Sequence, residues 1–348
     1  MDLKKELQRF CKLSGPSAFE APVVKAAVEL MAPLTDEAYV DKFGNAIGVR
    51  RCGKKNAKKL LFDAHIDEIG MIVSGYDDDG FLLFTSIGGV DRRMLPGREV
   101  TILTDPPMFG IVACLPPHVL SREEMDRSIP MKDLRIDAGL TSKEKAEKLI
   151  PVGTPVSFRN GDYGGFYMDN NLFCGKSMDD RACFLILVRT LELLKGRELD
   201  CDLYIIGSCR EEVALGARTA AFAIAPDACV AVDVTHAATA DNKGEDSVLG
   251  GGPEIGIGPN CTRWMTERMK AICEARRIPM QLSVMPGASG TNGWVFQIAR
   301  EGIATQVLSL PERYMHTPVE IVSLKDMEYT AELLAEFALE PGWGVSKC

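Results

Sequence analysis

The stretch 181–234, RACFLILVRTLELLKGRELDCDLYIIGSCREEVALGARTAAFAIAPDACVAVDV, decides the fold. RACFLILVRTLELLK reads as an apolar helix, CDLYIIGS as a buried strand, ALGARTAAFAI as a second helix and CVAVDV as a second buried strand. Short apolar strands separated by helices of about 10–15 residues imply crossover connections, and hence parallel pairing with helices over both faces. Toward the N-terminus, KKLLFDAH reads as a further buried strand, starting near Lys59 and ending at His65. Two short strands precede it, around Ala38 to Asp41 and Ala46 to Arg50, joined through Gly44 and Asn45. Ser17 and Glu20 form an S-x-x-E pattern ahead of an amphipathic helix, so a capping box is expected there. Toward the C-terminus the rhythm continues with a helix near Thr262 to Arg277, the strand-like QLSVM, a helix after Asn292 and the strand TQVLSL. A final amphipathic helix is capped by Ser323 and Asp326.

From Gly70 to Asp162 the texture differs: FLLFTSI, EVTIL, GIVACL and TPVSF alternate with glycine and proline, and only Ser142 to Leu149 reads as helix. The expected fold class is therefore α/β, a three-layer αβα domain with a largely parallel sheet over 1–69 and 163–348. A β-rich domain over 70–162 is inserted into it. With 348 residues, 46% of them hydrophobic, the chain is long enough for two such cores.

The formal net charge of -9 excludes a polyanion-binding role, because a phosphate backbone calls for a basic face. Nucleic acid is not an expected partner. No apolar run approaches the roughly 20 residues that span a bilayer, and MDLKKELQRF is an amphipathic helix rather than a secretion signal, so a cytoplasmic location is expected. The 11 cysteines are scattered without CxxC spacing, and Cys183, Cys229 and Cys273 sit in apolar runs, as buried free thiols do.

In open α/β sheets, ligands bind beyond the carboxyl ends of the strands. His65-Ile66-Asp67 follows one strand, Glu211-Glu212 follows another, and Asp233 ends a third. His316 follows TQVLSL by a short loop, while Asp179-Asp180 opens the helix at Arg181. Each alone has an ordinary account: a hydrogen-bonded core histidine, helix-opening acids that complement the dipole, solvated surface charge. Asp233 is harder to dismiss, since an unpaired carboxylate closing an apolar run is costly. Independent surface charges have no reason to collect at successive strand exits, so together they point to a metal site. Imidazole and carboxylate without cysteine suit catalytic Zn, Co or Mn and hydrolytic chemistry. Within HxD, the aspartate can take the second ring N–H and fix the histidine tautomer.

DAHIDEIG (63–70), GKSMDDRAC (175–183), REEVALGARTAAF (210–222), VDVTHA (232–237) and RYMHTPVE (313–320), in that order, closely resemble the motifs of the dinuclear-metal aminopeptidases of metallopeptidase family forty-two. These are enzymes of glutamyl, deblocking and tetrahedral type. The Pro116-Pro117-His118 segment adds to the resemblance. The resemblance implies two divalent ions, zinc first, with cobalt or manganese as alternatives. His65 and Asp233 would bind one ion, Glu212 and His316 the other, and Asp179 would bridge them. Glu211 would be the general base, Asp67 would orient His65, and Asp180 would follow Asp179 across a cis peptide. It also implies short peptide substrates, an insert that mediates dimerisation, and six dimers forming a hollow tetrahedral dodecamer. Two departures stand out: Asn292 replaces an expected aspartate, which is expected to alter the substrate pocket, and Met178 stands where leucine is common. An amidase or deacylase with the same metal chemistry, an endoglucanase-like glycosidase and a non-catalytic scaffold are the alternatives.

Overall fold

The computed structural model describes residues 1–159, 161, 164–214, 216–240, 242 and 247–340, so the expected domain boundary at 162 and 163 lies outside the described residues. The strands before the barrel are β1 (Glu37–Val40), β2 (Ala46–Arg50) and β3 (Lys58–His65). The barrel strands are β4 (Gly70–Tyr76), β5 (Leu82–Ile87), β6 (Glu99–Ile102), β7 (Met108–Val112), β8 (Ile136–Asp137) and β9 (Pro155–Phe158). After them come β10 (Phe166–Met168), β11 (Leu172–Gly175), β12 (Cys201–Ser208), β13 (Ala228–His236), β14 (Glu254–Ile257), β15 (Gln281–Val284), β16 (Ala304–Arg313) and β17 (Glu320–Ser323).

One 11-stranded sheet carries the order β1-β2-β12-β3-β13-β16-β17-β11-β10, with β14 and β15 attached beside β16. Parallel pairing joins β12 to β3, β3 to β13, β13 to β16 and β14 to β15. The flanks are antiparallel, so the expected largely parallel sheet is corrected to a mixed one. Connection length is the reason. The β1–β2 link is a tight turn in which Asp41 Oδ1 accepts the N–H groups of Phe43, Gly44 and Asn45, and no turn that short can make a parallel crossover. Gly44, at φ +112°, supplies the conformation this turn needs.

Helices Met178–Leu193, Leu324–Leu339 and Leu3–Lys12 cover one face with an apolar cluster that includes Phe10, Phe184, Leu187 and Phe337. Ala217–Ile224 and Gly293–Phe296 cover the other, over Ile47, Leu61 and Ile206. Each such side chain contributes about 1.5–3 kcal/mol on burial. Strands β4 to β9 close into a barrel around a separate core that includes Met71, Phe84, Ile102 and Val156. The described cysteines are free thiols, Cys183, Cys229 and Cys273 among the buried ones.

The expected capping box at Ser17 does not form. Ala18 takes a left-handed φ of 74°, which turns Ser17 away from the helix Ala21–Met31, and the N-cap Glu20 makes no side-chain capping bond. Ser17 Oγ donates instead to Asp67 Oδ2 at 2.6 Å.

Where the chain leaves the sheet for the barrel, Glu68 is buried among cations. Its carboxylate accepts Lys176 Nζ and Ser177 Oγ, Gly15 N–H at 2.8 Å and, from barrel strand β9, Ser157 Oγ at 2.9 Å. Fully buried Arg181 lies 3.5 Å away and donates to the carbonyls of Ile66, Phe10 and Leu13. Burial pushes Glu68 up, but Lys176 and Arg181 outweigh it and hold it at about 2 against an ordinary 4.5. A depressed folded value means that the stability Glu68 supplies is complete above pH 4.5 and lost as pH falls toward 2. Glu68→Gln leaves Lys176 and Arg181 without their counter-charge, so thermal denaturation at neutral pH will show a loss of about 3–5 kcal/mol. A variant as stable as the parent would remove this cluster from the account of stability.

Candidate metal centre

Parallel register lines up the strand ends. His65 pairs across β3 and β12 with Ser208, and Asp233 across β13 and β16 with Ser309, so both side chains emerge at one edge of the sheet. Asp179 stands at the opening of the helix Met178–Leu193 but has non-helical φ and ψ, and the peptide bond from it to Asp180 is cis. Its carboxylate faces the two imidazoles. Asp179 Oδ1 lies 3.0 Å from His65 Nε2, and its Oδ2 lies 3.2 Å from His316 Nε2.

Two sets of donor atoms converge here. His65, Asp179 and Asp233 form one, Asp179, Glu212 and His316 the other, each with its donor atoms within 4.8 Å of one another. His65 Nε2 is 3.9 Å from Asp233 Oδ1, and His316 Nε2 is 3.4 Å from Glu212 Oε1. Asp179 belongs to both sets. Glu211 belongs to neither, but it lines the same cleft of about 320 Å³.

Asp67 is fully buried beneath the cleft. Its Oδ1 accepts Glu211 N–H at 3.0 Å and lies 3.4 Å from His65 Nδ1, while its Oδ2 accepts Glu212 N–H at 3.3 Å and the Ser17 hydroxyl. Asp180 Oδ2 accepts the backbone N–H of His65 at 3.1 Å. Glu320, within the RYMHTPVE motif but given no role from sequence, accepts Met178 N–H at 2.6 Å and Asp179 N–H at 3.3 Å.

Charge at the site is unbalanced. Burial pushes Glu211 to about 7, Glu212 to about 8 and Asp233 well above the carboxylate range. Burial acts on Asp179 in the same sense, but the two imidazoles bonded to it outweigh burial and hold it well below its ordinary value. The hydrogen bond to Asp179 lifts His316 to about 9. For His65, burial is outweighed by Asp179 and Asp67, and the ring is held well above its usual value. Acids and imidazoles that hold protons at neutral pH for want of positive charge form a donor set that a divalent cation fits, with hard nitrogen and oxygen atoms throughout.

Asn292 is not itself among the residues lining the cleft, though Ser289, Gly290 and Thr291 just before it are. It is buried beneath, donating to Asp63 Oδ2 at 2.7 Å and Ser208 Oγ at 3.0 Å. Burial raises Asp63 to about 7, and hydrogen bonds from Asn292 and Ser208 restrain the rise, so an aspartate at 292 would have set two buried carboxylates against each other. His118 lies exposed in a short turn after β7 and takes no part in the site. Missed from sequence were Ser17, whose bond to Asp67 displaces the capping box, and the Gly88-Gly89 turn after β5, where Gly89 O lies 3.1 Å from His316 Nδ1. Only the doubled glycine at a strand end could have flagged the latter.

A family profile described as M42 glutamyl aminopeptidase matches residues 44–333. The chain belongs to this aminopeptidase family. It is 34% identical over 338 residues to a lysyl aminopeptidase of Pyrococcus furiosus, covering 94% of each chain. An aminopeptidase structure from the archaeon Desulfurococcus kamchatkensis superposes with a TM-score of 0.87 at 34% identity, covering 97% of this chain and 94% of that one. The TET1 peptidase of Pyrococcus horikoshii, described as able to assemble into a tetrahedron or a large octahedral shell, superposes with a TM-score of 0.86 at 29% identity, covering 97% of this chain and 100% of that one. This M42 aminopeptidase is thus a hydrolase of peptide N-termini, from a metal-dependent family. No helix among the described residues is long and apolar enough to cross a membrane. Because Ser17 is one of the donors that hold Asp67, Ser17→Ala will lower kcat on an aminoacyl anilide roughly tenfold, the equivalent of ~1.4 kcal/mol. Steady-state kinetics with unchanged kcat would show that Asp67 needs no help from the N-terminal segment.

Proposed function

We propose that this aminopeptidase works through two divalent cations, one held by His65 and Asp233, the other by Glu212 and His316, with Asp179 shared and Glu211 as general base. The observation that carries the reading is the pair of donor sets meeting at Asp179, with Glu211 left outside both. When bound, such ions supply Lewis-acid polarisation of the scissile carbonyl and an acidified water. Glu211, which lines the cleft outside both donor sets, would take a proton from the attacking water and return it to the departing amine. Asp67 orients His65 from behind and fixes the backbone at Glu211 and Glu212, so that one carboxylate serves all three.

Zinc is the expected ion, with cobalt or manganese as alternatives that the same donors accept. The substrate is a short peptide with a free N-terminus. Relatives that assemble into closed shells support a homo-oligomer, and within this reading residues 70–162 form an inserted domain that pairs chains into dimers of a tetrahedral dodecamer. A cytoplasmic location belongs to the same reading.

Glu211→Gln will keep its metal content and lose peptide turnover by about 10²–10⁴-fold. Turnover at the parental rate in a protein of unchanged metal content would remove Glu211 as the base. A second expectation concerns pH. Without cations, Glu212 at about 8 and His316 at about 9 carry protons at neutral pH, and a metal must displace them. Affinity for divalent ions will therefore rise from pH 6 to pH 9 with proton release, read by calorimetry in buffers of different ionisation heat. Metal uptake without proton release at pH 7 would contradict this charge assignment.

A further inference from the structure

The Gly88-Gly89 turn belongs to the barrel, at the exit of β5, yet it meets the metal centre. Gly89 O lies 3.1 Å from His316 Nδ1. A Cβ on Gly89 would stand 2.6 Å from that same Nδ1 and 2.9 Å from Cε1, closer than real Cβ contacts allow. A Cβ on Gly88, whose φ is +73°, would stand 3.2 Å from Glu212 Oε2 and 3.3 Å from Glu212 Cβ. The turn therefore packs against His316 and Glu212 together, and only glycine leaves them room.

His316 needs such a contact more than His65 does. The His65 side chain is 3% exposed and is carried on the central strand β3, whereas the His316 side chain is 35% exposed and follows β16 on a turn with left-handed φ at Tyr314 and His316. Packing and the carboxylates of Asp67 and Asp179 hold one ring; about a third of the other is in solvent. A carbonyl oxygen only accepts hydrogen bonds, so its partner Nδ1 carries a ring proton, and it is the proton on Nε2, facing Asp179 and Glu212, that a cation would displace.

We propose that Gly89 is a positioning residue of the metal centre: its carbonyl sets the tautomer and direction of the His316 ring, and the barrel thereby supports the Glu212–His316 half of the site. The His65–Asp233 half is carried on adjacent strands β3 and β13 of the main sheet. This inference rests on the two-ion reading above. It adds that the two ion positions have different structural supports and can be weakened separately.

The test is a titration of metal-free full-length protein with Zn²⁺ and Co²⁺, followed by calorimetry and elemental analysis, for the parent and Gly89→Ala. The parent is expected to take two ions per chain. Gly89→Ala is expected to keep one with unchanged affinity, which also reports an intact fold, and to bind the other 10–100-fold more weakly, because the added Cβ pushes the His316 ring off its bond to the carbonyl behind it. A parent that binds fewer than two ions overturns the two-ion reading itself. A parent that binds two, beside a Gly89→Ala protein that binds both with parental affinities, overturns the role of Gly89 alone. Should circular dichroism show Gly89→Ala unfolded, the ¹⁵N spectrum of histidine-labelled metal-loaded parent decides, with the His316 signal assigned by its loss in His316→Ala. A proton on Nδ1 upholds the proposal and a proton on Nε2 overturns it.

Discussion

Buried negative charge at the carboxyl edge of the parallel strands is the constraint on which the rest of the molecule turns. Asp179, Asp180, Asp233, Glu312 and Glu320 are all buried there, and burial pushes every one of them except Asp179 well above the carboxylate range. Neither oxygen of Glu312 has a hydrogen-bond partner among the described residues, nor does Asp180 Oδ1. A core arranged for stability alone would not gather unpaired acids in this way, because each costs several kcal/mol to bury charged. Glu68 shows how the same chain treats an acid whose task is structural: two cations, two hydroxyls and a backbone amide surround it. On the two-ion reading proposed above, the bound cations would supply the counter-charge that Asp179 and Asp233 share with the two imidazoles.

Holding that charge in place is the work of backbone groups more than of other side chains. Glu320 accepts two N–H groups at the entry to Asp179, Asp67 accepts two at the entry to Glu211 and Glu212, and Asp180 accepts that of His65. Each proposed functional side chain on these segments is thus preceded by a backbone bond to a buried carboxylate, which fixes where the segment starts without competing for the donor atoms that face the cleft. A bond to peptide N–H leaves the cleft's charge in the cleft.

Much of this was legible in the sequence, for reasons that also explain what was not. Central strands announce themselves as apolar runs with polar residues at their exits, so β3, β12, β13 and β16 and the residues His65, Asp233 and His316 could be read directly. Flanking strands such as Phe166–Met168, Leu172–Gly175 and Glu320–Ser323 are too short to carry a period, and their antiparallel direction follows from connections that sequence does not measure. Ser17 and Glu20 satisfied a local pattern whose outcome depended on one left-handed residue, Ala18, and on an acceptor 50 positions away. Gly89 was illegible in a stronger sense, since what matters is the absence of a side chain beside a ring 227 positions distant. Residue types likewise could not tell Glu211 from Glu212; the difference lies in which of them meets the donor set at Asp179.

The place where the barrel departs and returns ties these points together. The chain leaves the sheet at His65-Ile66-Asp67-Glu68 and rejoins it through β10 and β11, and Lys176-Ser177-Met178-Asp179 follows directly on β11, so both segments join a structural charge to a site residue within four positions. Glu68 and Lys176 pair across this gap in the interior, and Ser157 from β9 bonds to the same carboxylate. These bonds tie β9 of the barrel to both segments, and the turn after β5 reaches His316 on the same domain. A barrel attached by a loose neck could fold just as well around its own core, but its glycine turn would have no defined distance to the imidazole. The buried ion pair at the neck and the hydrogen bond at Gly89 are thus two places at which the barrel segment meets the sheet, one through structural charge and one beside His316.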